Sequence, residues 1–399
     1  MLDYVKNPLR SHGAGAHRQA FGLDAARAVL AFHQSWPGYA ATPAVSLSAL
    51  SAHLGLGAVT VKDESGRFGL HAFKSLGGTY GLGRHLTRAW GLPDSAAYPA
   101  LRDRAALEPP VTFVTATDGN HGVGISWAAR TLGQRARVFM PAGSTPARVR
   151  AVEAAGGTVT VTDLPYDETV VLAAESAVRA GHVLAQDTVW GDRREMPLAI
   201  MQGYLTLAAE MFVEGREVSL PRPSHVILQA GVGSFAAAIM AFLAERFRAD
   251  PPVFVVVEPT EAACFYASAR RGDGRLVSTP GPFATVMAGL SCGVGNPLAW
   301  DILKELTDVF VRVDDPVSAR GMRILGHPLA GDPRVVAGES GAVGLGLVSV
   351  VMEEGPDGNL RAALGLDAAS RILVVNTEGA TDPLRYRQIV WDGRFPWEP

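Results

Sequence analysis

The stretch VTFVTATDGNHGVGISWAARTLGQRARVFMPAGSTPARVRAVEAAGGTVTVT, residues 111–162, decides the class of fold. Three strand-like runs alternate here with two stretches that have the spacing of helices. A β-α-β-α-β order predicts parallel strands joined by right-handed crossovers, and therefore an α/β fold. The predicted strands are 111–115, 137–141 and 158–162, and the predicted helices cover 120–132 and a segment capped by Ser144.

A second alternation of strand and helix follows later in the chain. The pattern predicts another mostly parallel sheet, so two α/β lobes fit better than one. Ligands of such sheets bind beyond the carboxyl ends of the strands, which directs attention to the loops after residues 115, 230 and 376. The predicted strands are 225–230, 252–258 and 372–376, with helices over 235–247 and 197–212.

Composition narrows the function classes. The chain has 399 residues and a net charge of −3, so it lacks the basic excess of proteins that bind nucleic acid through phosphates. Its two cysteines, Cys264 and Cys292, exclude a disulfide scaffold and are expected to be free thiols. Paired metal-ligand spacings, a secretory signal and a membrane span are not apparent, which predicts a cytoplasmic protein without a bound metal.

The segment QAGVGSFAAA, residues 229–238, runs from a strand through glycines into a helix. Backbone N–H groups at such a turn can converge on a phosphate. The same letters also fit a dinucleotide site, with Ala236 in the last position of the motif and Glu258 ending the next strand. A third interpretation is a strand–helix turn without a ligand.

The segment HAFKSLGGTYG, residues 71–81, places Lys74 among apolar residues and glycines. Desolvation lowers the pKa of a lysine and makes its amine nucleophilic enough to form a Schiff base. The alternative is a lysine on an amphipathic helix whose amine reaches solvent.

The segment TATDGNHGVG, residues 115–124, joins a predicted strand to a predicted helix. Its backbone N–H groups could hold a carboxylate, Asn120 could bind a phenolic oxygen, and Asp118 could act as a base. The alternative is an Asp that caps the helix beside a tight turn.

Taken together, these three segments suit a phosphorylated aldehyde cofactor joined to a lysine. AFKSLGG, GNHG and GVGS resemble the fold type II, or tryptophan synthase β-like, family of pyridoxal-phosphate enzymes. The resemblance implies pyridoxal 5'-phosphate and two domains, each an open, mostly parallel sheet flanked by helices. Residues 1–80 and 195–399 would form a large cofactor-binding domain, and residues 81–194 a smaller mobile domain.

Further segments, among them AQDTVW (185–190) and NTEGATDPLRYRQIVWDG (376–393), resemble the diaminopropionate ammonia-lyases. That resemblance implies elimination of ammonia from 2,3-diaminopropionate, of the L and possibly the D form, to give pyruvate and two ammonia. A serine or threonine dehydratase, or another β-eliminating or β-replacing enzyme, is the alternative on the same fold. An NAD-dependent oxidoreductase is a more distant one. The resemblance also implies a homodimer.

The resemblance assigns the site residues. Asp187 has the alternative of a strand-end cap, and Thr377 and Glu378 are both open as partners of the pyridine nitrogen. The catalytic residues are Lys74, Asp118 and Asp187; the cofactor-binding residues are Lys74, Asn120, Gly231, Val232, Gly233, Ser234, Thr377 and Glu378; the substrate-binding residues are Thr117, Asp118, Gly119 and His121.

Overall fold

The computed structural model describes residues 2–11, 18–213, 220–279, 281, 283–353 and 359–398. Eleven strands lie in this part of the chain. They are β1 (Leu2–Lys6), β2 (Ala44–Ser46), β3 (Ala58–Asp63), β4 (Thr112–Ala116), β5 (Arg135–Met140), β6 (Gly157–Val161), β7 (Val183–Leu184), β8 (His225–Gln229), β9 (Val253–Pro259), β10 (Val309–Val313) and β11 (Arg371–Asn376).

The strands form two sheets. The larger has the order β1-β10-β9-β8-β11-β3-β2, and the smaller has the order β6-β5-β4-β7. Every pairing in the smaller sheet is parallel, while the larger sheet is parallel except at its edges, where β1 and β2 pair antiparallel. The predicted α/β class with open, mostly parallel sheets is confirmed.

Helices flank both sheets. They are α1 (Arg18–Phe21), α2 (Leu23–Gln34), α3 (Ser48–Leu54), α4 (Lys74–Ala89), α5 (Tyr98–Ala105), α6 (Asn120–Thr131), α7 (Pro146–Ala154), α8 (Tyr166–Ala180), α9 (Glu195–Gly203), α10 (Leu205–Phe212), α11 (Ser234–Arg246), α12 (Cys264–Arg271), α13 (Pro297–Leu306), α14 (Asp315–Gly326), α15 (Glu339–Glu353), α16 (Asn359–Leu364) and α17 (Pro383–Val390).

The strands of the two sheets come from different parts of the chain. All those of the smaller sheet lie within residues 81–194, and those of the larger sheet lie outside that range. Among the described residues, none of the helices is long and apolar enough to span a bilayer.

Two local predictions were wrong. The helix expected over 197–212 is two helices, because Tyr204 N–H donates to Met201 O and Leu207 N–H to Tyr204 O, which are i,i+3 rather than i,i+4 bonds. The cap of α7 is Thr145, not Ser144: the backbone of Thr145 is extended, and its side chain accepts from the Arg148 amide.

Glycines let α4 cross its neighbours closely. A Cβ added to Gly78 would lie 2.9 Å from the carbonyl carbon of Gly124 in α6. A Cβ added to Gly203 of α9 would overlap the carbonyl oxygen of Leu76. Side chains at these positions would separate the helices, so the three glycines fix the position of α4, whose first residue is Lys74.

A buried cluster of four charges also supports α4. Arg67, just before α4, donates to Glu64 at 2.7 Å and to Glu210 of α10 at 2.8 Å, while Lys62 of β3 donates to Glu210 at 2.5 Å. Burial raises the pKa of Glu210, but Arg67 outweighs burial and brings that pKa to about 2. Both signs balance, so the cluster ties β3, α10 and the segment before α4 together without a net buried charge.

Candidate active site

A cleft with about 910 Å³ of empty space, including solvent at its mouth, lies where the carboxyl ends of strands from both sheets meet. Loops that follow β4, β7, β8 and β11 contribute to its wall, as expected for ligand sites of parallel sheets. Every residue assigned to the site from the sequence lines this one cleft: Lys74, Thr117, Asp118, Gly119, Asn120, His121, Asp187, Gly231, Val232, Gly233, Ser234, Thr377 and Glu378.

Lys74 makes an ion pair with Asp187 across the cleft, with 2.7 Å between Nζ and Oδ2. Burial lowers the pKa of Lys74, but the attraction of Asp187 outweighs it and raises the pKa above the ordinary lysine value. Burial likewise raises the pKa of Asp187, and Lys74 outweighs it and holds that pKa at about 2. The prediction that Lys74 has a lowered pKa was wrong, because it considered burial but not the charge of Asp187.

Lys74 has no competitor among the lysines of the chain. The sequence contains four, of which Lys6 is exposed in β1 and Lys62 is paired with Glu210. Lys304 pairs with Asp301 on α13, with 2.8 Å between Nζ and Oδ1. Only Lys74 lines the cleft, so it is the single primary amine there that can attack an aldehyde.

The loop from Gly231 to Ser234 joins β8 to α11. Within the described hydrogen bonds, none uses the backbone amides of Gly231, Val232 or Gly233 as donors. Gly233 has φ +83°, and a Cβ there would lie 2.5 Å from Phe265 Cζ, so a side chain does not fit. Unpaired amides at the start of a helix form a binding site for a phosphate.

Three hydrogen bonds in the cleft wall bear on whether Thr377 or Glu378 meets the pyridine nitrogen. Glu378 accepts from Asn120 Nδ2 at 2.5 Å and from the Ser340 amide at 2.9 Å. The Thr377 hydroxyl accepts from Gln229 Nε2 at 2.9 Å, which leaves its own proton to donate. Each carboxylate oxygen of Glu378 therefore already accepts one hydrogen bond, whereas the Thr377 hydroxyl keeps a proton that it can donate.

Asp118 and Gly119 lie on the loop between β4 and α6. Asp118 Oδ2 accepts from Arg148 Nη1 at 2.8 Å, and the Gly119 amide donates to Thr117 Oγ1 at 2.9 Å. Gly119 caps α6 without a side-chain hydrogen bond, so the first amides of the helix face an open position. A carboxylate ligand would accept hydrogen bonds from these amides.

His121 lies next to the ion pair between Lys74 and Asp187. Its Nε2 is 2.9 Å from the carbonyl oxygen of Ala185, and its Nδ1 is 3.9 Å from Asp187 Oδ2. Burial lowers the pKa of His121, so the ring is neutral and Nε2 carries the proton that Ala185 accepts. The neutral ring leaves Lys74 as the cation that faces Asp187.

Comparison with known proteins agrees with this geometry. A family model described as pyridoxal-phosphate dependent enzyme matches residues 36–378. The chain belongs to this family. It is 44% identical to a diaminopropionate ammonia-lyase of Salmonella typhimurium, over 99% of each chain. An L-threonine dehydratase of Haemophilus influenzae is 27% identical over 67% of this chain and 48% of its own length. The crystal structure of the holo diaminopropionate ammonia-lyase of Escherichia coli matches with a TM-score of 0.93 and 40% identity, covering 100% of this chain and 99% of that one.

The predicted fold type, the predicted family and pyridoxal phosphate as its cofactor are thereby confirmed. The residues of the cleft fit this cofactor: an amine for the aldehyde at Lys74, unpaired amides for the phosphate and polar side chains on the opposite wall. Nothing in the described residues clusters acidic, His and Cys side chains as a metal site.

The structure corrects the dinucleotide interpretation. Glu258 does not line the cleft; its carboxylate accepts from the amides of Phe265 at 2.9 Å and Tyr266 at 2.6 Å, at the start of α12. Burial raises its pKa to about 8. Glu258 is thus a helix cap rather than a partner for a ribose hydroxyl. Cys264 and Cys292 are both free thiols, as expected.

Sequence reasoning missed several residues of the cleft. The helix that follows a parallel strand begins at the same edge as the ligand, and this rule could have pointed to Arg148 near the start of α7. Ser340 comes from distant sequence, and its place in the wall depends on how α15 packs. The missed polar residues are Arg148, Tyr166, Gln229, Ser291, Ser340 and Thr381.

Borohydride reduction of the protein loaded with pyridoxal phosphate is expected to attach the cofactor to Lys74 alone, because no other lysine lines the cleft. Peptide mass spectrometry measures the attachment. Lys74→Ala is expected to lose the label and Lys304→Ala to keep it. A stoichiometric label on Lys6, Lys62 or Lys304 would refute the assignment.

Proposed function

We propose that the chain converts 2,3-diaminopropionate and water to pyruvate and two ammonia. One observation carries this choice among the activities of the fold: besides Glu378, the cleft holds two further carboxylates, Asp118 and Asp187, on separate loops, and Asp187 pairs with Lys74. An amine is a poor leaving group unless it is protonated, and a carboxylate beside it stabilises the ammonium form. The 44% identity to a diaminopropionate ammonia-lyase over the whole chain supports the same substrate.

Lys74 is proposed to move the proton of the L-substrate. Bound pyridoxal phosphate supplies an electron sink for the carbon that loses this proton. The Nζ atom of Lys74, when not bonded to the cofactor, would accept the Cα proton of the L-substrate. Asp187, 2.7 Å from Nζ, favours the resulting ammonium and keeps it directed into the cleft.

Asp118 is proposed as the second base, which takes the Cα proton of the D-substrate on the face opposite Lys74. Its carboxylate lines the same cleft, and no hydrogen bond other than that from Arg148 reaches it among the described residues. Oδ1 is therefore left for the substrate. Two bases on two faces would account for turnover of both enantiomers.

The loop from Thr117 to His121 is proposed to bind the substrate carboxylate. The first amides of α6 lack a side-chain cap, and the positive end of the helix dipole adds to their attraction. The phosphate is proposed to lie on the amides from Gly231 to Ser234, and the hydroxyl of Thr377 to meet the pyridine nitrogen as a donor. Asp187 acts in this scheme through Lys74 and not as a strand-end cap.

A serine or threonine dehydratase is the second candidate on this fold. Its hydroxyl leaving group does not need a carboxylate that stabilises an ammonium form, and the threonine dehydratase relative is 27% identical where the ammonia-lyase relative is 44% identical. The buried, capping position of Glu258 removes the feature that favoured an NAD-dependent enzyme.

We also propose a homodimer in the cytoplasm and a mobile smaller domain over residues 81–194, on the resemblance to the family. Light scattering tests the first point: twice the chain mass of 42.0 kDa supports the dimer, and the single mass contradicts it.

Product stoichiometry tests the proposed function. The loaded enzyme is expected to release two ammonia per pyruvate from L-2,3-diaminopropionate, because both amino groups leave. Serine and threonine are expected to react far more slowly, since their hydroxyl leaving group gains nothing from a carboxylate that stabilises an ammonium form. Ammonia and pyruvate are assayed in the same reactions. Rapid turnover of serine or threonine with inert diaminopropionate would instead make the chain a dehydratase.

Asp118→Asn is expected to reduce kcat for D-2,3-diaminopropionate by about 100-fold or more, the usual contribution of a general base, while kcat for the L-form changes little. Steady-state rates with each enantiomer measure this. Asp167→Asn, at the half-buried start of α8 and outside the cleft wall, is the matched control. Equal loss of both activities in Asp118→Asn would refute the division between two bases.

A further inference from the structure

Arg148 is a charged residue of the cleft to which the scheme so far gives no role. It lies in the first turn of α7, on a different segment from every proposed catalytic residue. Its guanidinium Nη1 is 2.8 Å from Asp118 Oδ2, with side-chain exposures of 13% for Arg148 and 27% for Asp118. The pair is largely shielded from solvent, so its attraction is stronger than that of a surface pair.

The backbone next to Asp118 leaves room for the side chain of Arg148. Gly119 has φ +155°, and a Cβ there would meet Cδ, Cγ and Cβ of Arg148 at 3.5, 3.6 and 3.8 Å. The stem of Arg148 therefore lies across the residue that follows Asp118, and it holds the loop as well as the carboxylate. At its other end the Arg148 amide is held by the Thr145 cap at the start of α7.

Arg148 is the cation in direct contact with Asp118, and other groups around Asp118 also act on its pKa. Burial raises the pKa of Asp118, Arg148 and the more distant Arg385 of α17 lower it, and Glu378 after β11 raises it. Tyr166 of α8 and Cys292 also face this region; burial raises the pKa of each, so both are uncharged at neutral pH. Without Arg148, burial and Glu378 would be opposed only by Arg385.

We propose that Arg148 is a positioning residue that keeps the Asp118 carboxylate ionised and directed into the cleft, and thereby supports turnover of the D-substrate but not of the L-substrate. This inference rests on the proposed function, because it takes Asp118 as the base for the D-form. Arg148 acts through Asp118. Its Nη1–H group donates a hydrogen bond to Asp118 Oδ2, and Oδ1 stays available for the proton of the substrate.

Direct binding of the substrate carboxylate by Arg148 is the competing role. Both enantiomers carry that carboxylate, so a binding role would raise KM for both forms by a similar factor. A positioning role instead changes the pH dependence for the D-form alone. The two roles are therefore separable by kinetics.

The test compares Arg148→Gln, Arg148→Lys and the control Arg150→Gln, which removes an exposed charge from the same helix. The pH profile of kcat/KM is measured with each enantiomer, and the absorbance of bound cofactor confirms equal loading. The base works only when ionised, so D-activity falls as the pH drops through the pKa of Asp118. Loss of the guanidinium raises that pKa, so in Arg148→Gln the acid limb for the D-form is expected to move up by about one pH unit or more. Arg148→Lys is expected to restore part of the shift.

Each outcome decides the inference. An acid limb that moves for the D-form alone supports it, and so does partial rescue by lysine. An unchanged D-profile, or a loss shared by both enantiomers, overturns it. If Arg148→Gln loads poorly, Arg148→Lys decides alone. Its acid limb must lie at higher pH than that of the wild-type enzyme for the D-form only, or the inference fails. If wild-type enzyme turns over neither enantiomer, the proposed function fails instead.

Discussion

The ion pair between Lys74 and Asp187 is the contact on which the rest of the site depends. Lys74 opens α4, which follows β3 of the larger sheet, and Asp187 follows β7 of the smaller sheet. The ion pair, with 2.7 Å between Nζ and Oδ2, therefore connects segments that follow strands of the two sheets. The crossing glycines Gly78, Gly124 and Gly203 fix the position of the lysine in this contact, because each would clash with a neighbouring backbone if it carried a Cβ.

Asp187 also connects the lysine to the loop that is suited to a phosphate. Its backbone carbonyl accepts from Ser234 Oγ at 2.7 Å and from Asn296 Nδ2 at 3.3 Å. The backbone amide of Asn296 in turn donates to the carbonyl oxygen of Val232 at 2.9 Å. A displacement of the smaller sheet would therefore disturb the lysine and the loop from Gly231 to Ser234 together. This coupling explains why residues from four loops can act on one small ligand.

Local patterns in the sequence predicted the parallel strands and the loops that reach the cleft, because periodicity and glycine-rich turns are local properties. They could not predict the balance of charges. Lys74 is largely shielded from solvent, as expected, yet Asp187 raises its pKa, and Asp187 lies 113 residues away along the chain. The cluster of Lys62, Glu64, Arg67 and Glu210 and the contact of Arg148 with Asp118 depend in the same way on tertiary packing. The edge strand β1 was missed, since its partner β10 is distant in sequence.

Titration of Lys74 tests the central contact most directly. With four lysines in the chain, protein labelled with [ε-13C]lysine gives few signals, and single variants assign them. In the cofactor-free protein, Lys74 is expected to titrate above the ordinary lysine value of about 10.4, because Asp187 stabilises its charge. In Asp187→Asn the largest effect that opposes burial is lost, so Lys74 is expected to titrate below that value. The same titration of Lys74 in both proteins would contradict the account.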